Sequence, residues 1–425
     1  MASLLLLMAI NLFNYVDRQV LSAVEPDIRR DILHEPVETA HPASSVPRTH
    51  AHTRTGILNS AFIVCYMLAA PLFGWLADRM SRWVIVGGAV VVWSLASGAS
   101  GLASSFTALL VTRLFIGVGE AGYGPAAPTI IADLFPMRRR GTVMAWFYMA
   151  IPVGSALGYV LAGMVARFTD NWRWSFYAVV PPGIALGLLC FFMPDPPRGQ
   201  SDSNSHAPTT AKPSLRDYLH VFQVPSYLLN TVGMAMMTFG IMGITFFMPS
   251  YLLDQHAAHD PARAKIIYGI LILFAGVSAT LSGGFIGDWL QERFGGAYFL
   301  VSAAAIFLSV GCILMMLFST FPTAWGWLFG AAFFLFFTTG PANTILANVI
   351  HPSMRTTAFA LNIFLIYALG AIPASPLMGE LRDRYHSWRP AFYLVCAAMT
   401  FGGFLWVWGA RYLASDTERA MRRDR

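Results

Sequence analysis

A chain of 425 residues that is 56% apolar and only 12% charged, with a mean hydropathy of +0.56, holds about half the charged residues that a soluble domain spreads over its surface. The same figures exclude intrinsic disorder, a collagen-like repeat and a disulfide-stapled secreted fold, and leave a protein whose solvent is mostly lipid. The excess of 28 basic over 22 acidic residues, a formal +6, fits arginines on membrane-facing loops better than a nucleic-acid surface.

A membrane-spanning helix needs roughly 20 mostly apolar residues. In chain order such segments fall near 2–24, 55–77, 83–104, 107–134, 141–168 and 173–193, and again near 225–253, 264–287, 297–319, 322–350, 355–381 and 389–412. The first has no basic leader and no small-residue cleavage site and carries Asp17-Arg18, so it reads as a retained helix rather than a signal peptide. The loop after it, 25–54, contains His34, His41, His50 and His52 without metal-ligand spacing, so no metal is expected there. A polar stretch, 194–222, has linker composition and no periodic apolar face. Unpaired backbone groups are so costly in hydrocarbon that every span should be helical. The expected fold is an all-α membrane protein with a six-helix bundle over 1–193, a cytoplasmic linker over 194–222 and a second six-helix bundle over 223–425.

Placing both termini in the cytoplasm puts 15 Lys and Arg inside, 11 outside and 2 within the membrane, which accounts for all 28, and the short Arg138–Arg140 cluster sharpens that bias. The expectation is a multi-pass, monomeric protein of the inner (plasma) membrane, surrounded by membrane lipids. Cys65, Cys190, Cys312 and Cys396 lie in apolar runs without metal or redox spacing and read as small buried hydrophobes. No H-E-x-x-H, G-x-S-x-G or P-loop pattern occurs, which speaks against an intramembrane enzyme and an ATP-driven pump. Neither a cofactor nor a nucleic-acid partner is expected.

The halves echo each other. G-W-L-A-D at 74–78 matches G-F-I-G-D at 284–288, N-W-R-W-S-F-Y at 171–177 matches S-W-R-P-A-F-Y at 387–393, and Gly154 and Gly163 match Gly370 and Gly379, at offsets of 210, 216 and 216. Repeated halves in a polytopic membrane protein imply two bundles about a pseudo-symmetry axis with a substrate site near the midplane.

These strings carry a family resemblance. Gly74-Trp75-Leu76-Ala77-Asp78-Arg79-Met80-Ser81-Arg82 resembles the signature between helices 2 and 3 of the major facilitator superfamily, with Ser81 in place of the usual glycine, and Arg113-Leu-Phe-Ile-Gly117-Val-Gly119 resembles that superfamily's helix-4 motif. The longer R-L-F-I-G-V-G-E-A from Arg113 to Ala121, the P-T-I-I-A-D-L-F that follows, and Asn14-Tyr15-Val16-Asp17-Arg18 are similar to the Spinster family. The resemblance implies alternating access and proton-linked transport supported by matching acidic and basic residues. It points to lysolipids or sphingoid phosphates as substrates.

Only Asp17, Arg18, Arg113 and Glu120 are charged well inside the predicted spans. Charges at mid-bilayer cost several kcal/mol, so they should face a wet cavity and have partners. Counting ~1.5 Å per residue from span ends near 24 and 106 places Asp17 and Arg113 at a similar depth, ~10 Å, on helices that the resemblance makes neighbours. Glu120 follows Arg113 by two turns on nearly the same face. Arginine keeps its proton at working pH and a carboxylate can exchange one, so Asp17, Glu120 or both should carry the proton. Arg113 would then be their counter-ion or the anion-binding group. Arg18 points about 100° away from Asp17 and receives no partner from the sequence. The alternative is a structural ion-pair network locking helices 1 and 4. Asn14 and Tyr123 complete the candidate substrate or ion-pair set in this half.

The second half offers Asn343, Asn348, Asn362, Thr238, Thr338, Thr339 and Tyr367 among Phe239, Phe246, Phe247, Met248, Phe336 and Phe337. Of these, Asn343, Asn362, Thr238 and Tyr367 are the candidate substrate residues. One charged wall and one apolar wall suit an amphiphile with an anionic head better than a sugar, which needs hydrogen bonds all round. A gating set consists of Gly74, Asp78, Arg79, Arg82, Asp133, Arg140 and Asp288, in which arginines can bridge to Asp133. By resemblance Asp78, Arg79 and Arg82 stabilise the outward-facing state. Gly154, Gly158 and Gly163 read as packing residues. The expected function is proton-coupled transport of an amphiphilic organic anion by alternating access. The alternatives are transport of a small carboxylate such as a sugar acid, and a non-transporting lipid-binding or receptor protein on the same scaffold.

Overall fold

Where the sequence is apolar for the thickness of a bilayer, the chain is helical. The computed structural model describes residues 2–34, 50–77, 79–135, 143, 146–169, 171–197, 221–255, 260–350 and 355–422. Among these, twelve helices are long and apolar enough to cross a membrane: α1 Ala2–Asp31, α2 Ala51–Ala77, α3 Arg82–Leu102, α4 Phe106–Ile131, α5 Trp146–Phe168, α6 Arg173–Cys190, α7 Pro225–Asp254, α8 Ala262–Gln291, α9 Ala297–Phe318, α10 Thr323–Asn348, α11 Ala358–Tyr385 and α12 Trp388–Gly409. A short amphipathic helix, α13 (Leu413–Arg422), follows, and no strand occurs among the described residues. Large apolar side chains such as Phe192, Phe168 and Phe285 stand almost fully outward. An apolar exterior of this kind is stable against acyl chains and not against water.

Most span ends fall within a few residues of expectation. The end of α1 does not. Expected near 24, it lies at Asp31, two turns further on. Pro26 and the charges at 25, 27, 29 and 30 make the segment look finished. In the fold Glu25 pairs with Arg29 and Asp27 with Lys265, so the helix carries its charges as ion pairs.

Two compact units emerge, one of residues 1–206 with 246–273, the other of residues 207–245 with 274–425. Most of the linker, residues 198–220, lies outside the described residues. In the first unit α1 packs on α5, α2 on α4, and α3 on α4 and α6; in the second, α9 packs on α10 and α12. The α3/α4/α6 arrangement thus recurs as α9/α10/α12, the structural counterpart of the sequence repeat. One repeat-matched pair of glycines acts alike. A Cβ on Gly154 would lie 2.8 Å from Tyr15 Cβ on α1, and one on Gly370 would lie 3.1 Å from the Phe239 nitrogen on α7. Gly158 meets α1 in the same way, at Val16 O and Gln19 Cβ.

The glycines of α4 set the site. A Cβ on Gly117 would overlap the Phe62 carbonyl and stand 3.0 Å from Cys65 Cβ, and one on Gly119 would stand 2.9 Å from the Trp93 nitrogen. These two residues therefore let α2 and α3 close on α4 either side of Glu120. Gly117→Ala is expected to cost about 1–3 kcal/mol, because backbone atoms cannot yield as side chains do. Gly74→Ala, with nothing within 4 Å of the added carbon, should be neutral or stabilising by up to about 1 kcal/mol. Thermal melts of the two purified variants check this; equal melting temperatures would contradict it.

Candidate functional site

Asn11, Asn14, Arg18, Ser22, Glu25 and Arg29 recur at three- and four-residue spacing and form one polar stripe along α1. Asp17 lies one position round from it. From α4, Glu120 reaches this stripe: Arg18 Nε donates to Glu120 Oε2 at 2.6 Å, with the Glu120 side chain fully buried and Arg18 21% exposed. The guanidinium carbon of Arg18 lies 5.2 Å from the ring centre of Tyr15, 5.1 Å from Phe62 and 5.3 Å from Tyr66. Asn14 borders Glu120 without closing a hydrogen bond of good geometry. Tyr123 Oη donates to the Leu7 carbonyl at 2.9 Å, a second tie between α4 and α1.

Asp17 accepts a hydrogen bond from Ser97 on α3. Arg113 Nη2 donates to Ser100 Oγ at 2.7 Å, one turn along α3, and its guanidinium stands 5.3 Å from the Phe176 ring centre. Asp17 and Arg113 are therefore within a turn of each other in depth, as expected. The counting behind that expectation needs correction, since α1 runs 14 residues, or ~21 Å, beyond Asp17. Three buried atoms of the group, Asp17 Oδ2, Glu120 Oε1 and Arg113 Nε, have no hydrogen-bond partner among the described residues.

Two further expectations are corrected. Glu120 has Arg18, rather than Arg113, as its ion-pair partner, which also supplies the partner that sequence does not assign to Arg18. Helices 1 and 4 are neighbours, as expected, but meet through side chains, while the main backbone packing of α1 is on α5 and α6 and that of α4 on α2 and α3. The spans also hold more than four charges. Glu25 and Arg29 are buried in α1, and Lys265 is buried in α8. Glu25 accepts from Thr55 at 2.7 Å and from Ser250, and it pairs with Arg29 at 2.8 Å; Lys265 pairs with Asp27 at 3.1 Å.

Of the gating residues, Arg82 is the hub. Buried at the start of α3, it pairs with Asp133 on the helical continuation of α4, donates from Nε to Asp195 Oδ1 at 3.0 Å, and donates from Nη2 to the Pro196 carbonyl at 2.6 Å. The bridge to Asp133 is the one expected from sequence. Asp195 is not, because an acid in a polar, proline-rich stretch carries no sign that it returns to a buried arginine. Arg79 is exposed, bonded to the Trp75 carbonyl and stacked 3.9 Å over that indole. Asp288 accepts from Tyr298 Oη at 2.9 Å. Gly74 touches nothing within 4 Å of its missing Cβ. Asp78 and Arg140 lie outside the described residues, as does His41.

In the second unit Thr238 and Asn362 are buried, and Asn362 Nδ2 lies 3.8 Å from Met234 Sδ. Asn343 is exposed and bonded back to Thr339 O on its own helix. Tyr367 is half-buried at the start of a π-helical turn, Tyr367–Ala371, within α11. Among the described residues no group of three or more His, Cys, Asp or Glu gathers as a metal site.

A profile of the Major Facilitator Superfamily matches residues 7–375. The chain is 30% identical over 440 residues to protein spinster homolog 3 of Danio rerio, a match covering 97% of this chain and 85% of that protein. It is a Spinster-family member of the major facilitator superfamily. Two solved structures share its fold. One is a bacterial homolog of the human lysosomal transporter Spinster, in an inward-facing and unoccupied conformation, with a TM-score of 0.76 at 21% identity and coverage of 100% and 98%. The other is a D-xylose–proton symporter, with a TM-score of 0.71 at 15% identity and coverage of 95% and 96%. Family and fold are those of a multi-pass membrane transporter rather than an enzyme. In this Spinster-family chain the matched range takes in Asp17, Arg18, Arg113 and Glu120 and the whole Arg82 cluster.

Proposed function

We propose that this protein is a proton-coupled secondary transporter of an amphiphilic organic anion, of lysophospholipid or sphingoid-phosphate type, working by alternating access of bundles 1–193 and 223–425 about the linker 194–222. It acts as a monomer in the inner (plasma) membrane with both termini cytoplasmic. Protons, membrane lipids and the amphiphile are its partners. One observation carries the proton reading: Asp17 and Glu120 each have one oxygen held by a donor and the other buried without a partner. A buried carboxylate is costly while it is charged and only half paired, and taking up a proton removes that charge. Arg113 supplies the fixed positive charge for an anionic head. The apolar second half, with Phe239, Phe246 and Phe247, favours a hydrocarbon tail. The curated relative is a Spinster protein, and a proton symporter shares the fold.

The test is flux into proteoliposomes under an imposed pH gradient, using lysophosphatidylglycerol and, in parallel, glucuronate. Gradient-dependent movement of the lysolipid is the expected result. Movement of glucuronate alone would replace the amphiphile by a small carboxylate. Lysolipid binding without net movement would replace the transporter by a receptor.

A further inference from the structure

We propose that Tyr15, Phe62 and Tyr66 form a positioning cage that holds the Arg18 charge whenever Glu120 takes up a proton, and that this cage sets the pH at which loading occurs. The inference rests on the proton reading above. Three rings from two helices surround one guanidinium at 5.1–5.3 Å, well inside the reach of cation–π attraction. The arrangement is built in: Gly117 lets the α2 backbone at Phe62 touch α4, and Gly124, lacking a Cβ, leaves room for Tyr66 Oη.

The physical need is plain. While Glu120 is ionised, Arg18 is neutralised at 2.6 Å, and the rings meet a pair whose field largely cancels. Once Glu120 is neutral, Arg18 keeps its full charge in a largely buried setting without that carboxylate, which is costly unless other groups face it. The negative faces of three rings then count for more. They act selectively on the protonated form of Glu120. Asp17 and Tyr15 on α1, Arg113 and Tyr123 on α4, and Cys65 and Tyr66 on α2 are the other titratable or charged groups around this pair, and α3 contributes only the neutral Ser97 toward Asp17. Among them the one acid is Asp17, whose charge acts on both Arg113 and Arg18 and is there whether or not Glu120 is protonated.

Removing a ring face while keeping apolar volume should make Glu120 load only at lower pH. For a partly exposed guanidinium the part of one such contact that depends on the state of Glu120 corresponds to a shift of about half a pH unit per ring. The experiment is infrared difference titration of the full-length protein in lipid nanodiscs, following the protonated-carboxyl band that Glu120→Gln removes. Phe62→Leu and Tyr66→Leu should each move its midpoint toward acid by about 0.5 unit, and the pair by about 1. Phe62→Tyr and Tyr66→Phe, which keep the ring, should leave it in place, a rescue that loosened packing would not give. An unmoved midpoint in the Leu variants overturns the cage while the proton reading stands. A parent protein with no Glu120-dependent band at any pH overturns the proton reading, and the cage with it. Thermal melts confirm folding, and either single Leu variant carries the test if the double variant is unstable.

Discussion

Asp17→Asn combined with Glu120→Gln is expected to abolish accumulation of the lysolipid against its gradient while downhill exchange of the same molecule persists. Both substitutions keep side-chain shape and remove the exchangeable proton. The amide oxygen introduced at position 17 would still accept the Ser97 hydroxyl. A one-unit pH gradient coupled through one proton sustains about a tenfold concentration ratio, so the variant ratio should fall to about one. The single variants differ in character. Glu120→Gln leaves Arg18 without its carboxylate, so it should cost stability as well as coupling, moderated by the three surrounding rings and by the partial exposure of Arg18. Asp17 closes no ion pair among the described residues but is the main negative charge acting on the buried Arg113, so Asp17→Asn should also cost stability. Undiminished gradient-driven flux in both singles and the double variant would refute proton coupling through these groups.

The second large effect is expected at Arg82. Its guanidinium and backbone together hold Asp133, both oxygens of Asp195 and the Pro196 carbonyl. Arg82→Ala would remove the cation that Asp133 and Asp195 share, and loss of one member of a buried charge cluster typically costs about 3–5 kcal/mol. The side chains of Asp133 and Asp195 are 13% and 26% exposed, so solvent recovers part of that and the lower end of the range applies. Lysine cannot reproduce the planar fork, so Arg82→Lys should fall between the alanine variant and the parent. Chemical or thermal unfolding of the three proteins in one detergent measures this. An Arg82→Ala/Asp195→Ala double variant no less stable than Arg82→Ala alone would show the coupling directly. Parental stability in Arg82→Ala would remove the cluster from any gating role.

Both predictions rest on residues that are visible in the sequence to different degrees. Asp17 and Glu120 stand out because few side chains are as unfavourable in lipid, and Arg82 and Asp133 because they lie in motif strings. Arg18 is visible but unassigned. A helical wheel says which way it leaves α1 and nothing about what arrives from α4. Its cage is not legible at all, since aromatic residues on α1 and α2 are ordinary among 32 Phe and 15 Tyr. Asp195 is hidden by its polar, proline-rich neighbours. Glu25 and Arg29 read as loop charges because a proline beside acids normally ends a helix, and only the partners Thr55 and Ser250 show how the charge is carried.

Hydropathy, span length and the internal repeat are enough to specify twelve helices and their doubling, because lipid leaves the backbone no other way to satisfy its hydrogen bonds. Those are properties of each segment taken singly, and the linear order contains them. Which carboxylate meets which arginine, and which rings surround it, depends on helix rotation and on close approaches such as Gly117 to Phe62 O and Gly119 to Trp93. Pairing energies between side chains a hundred residues apart act only after packing has brought them within a few ångströms, so that part of the protein exists in the folded arrangement alone.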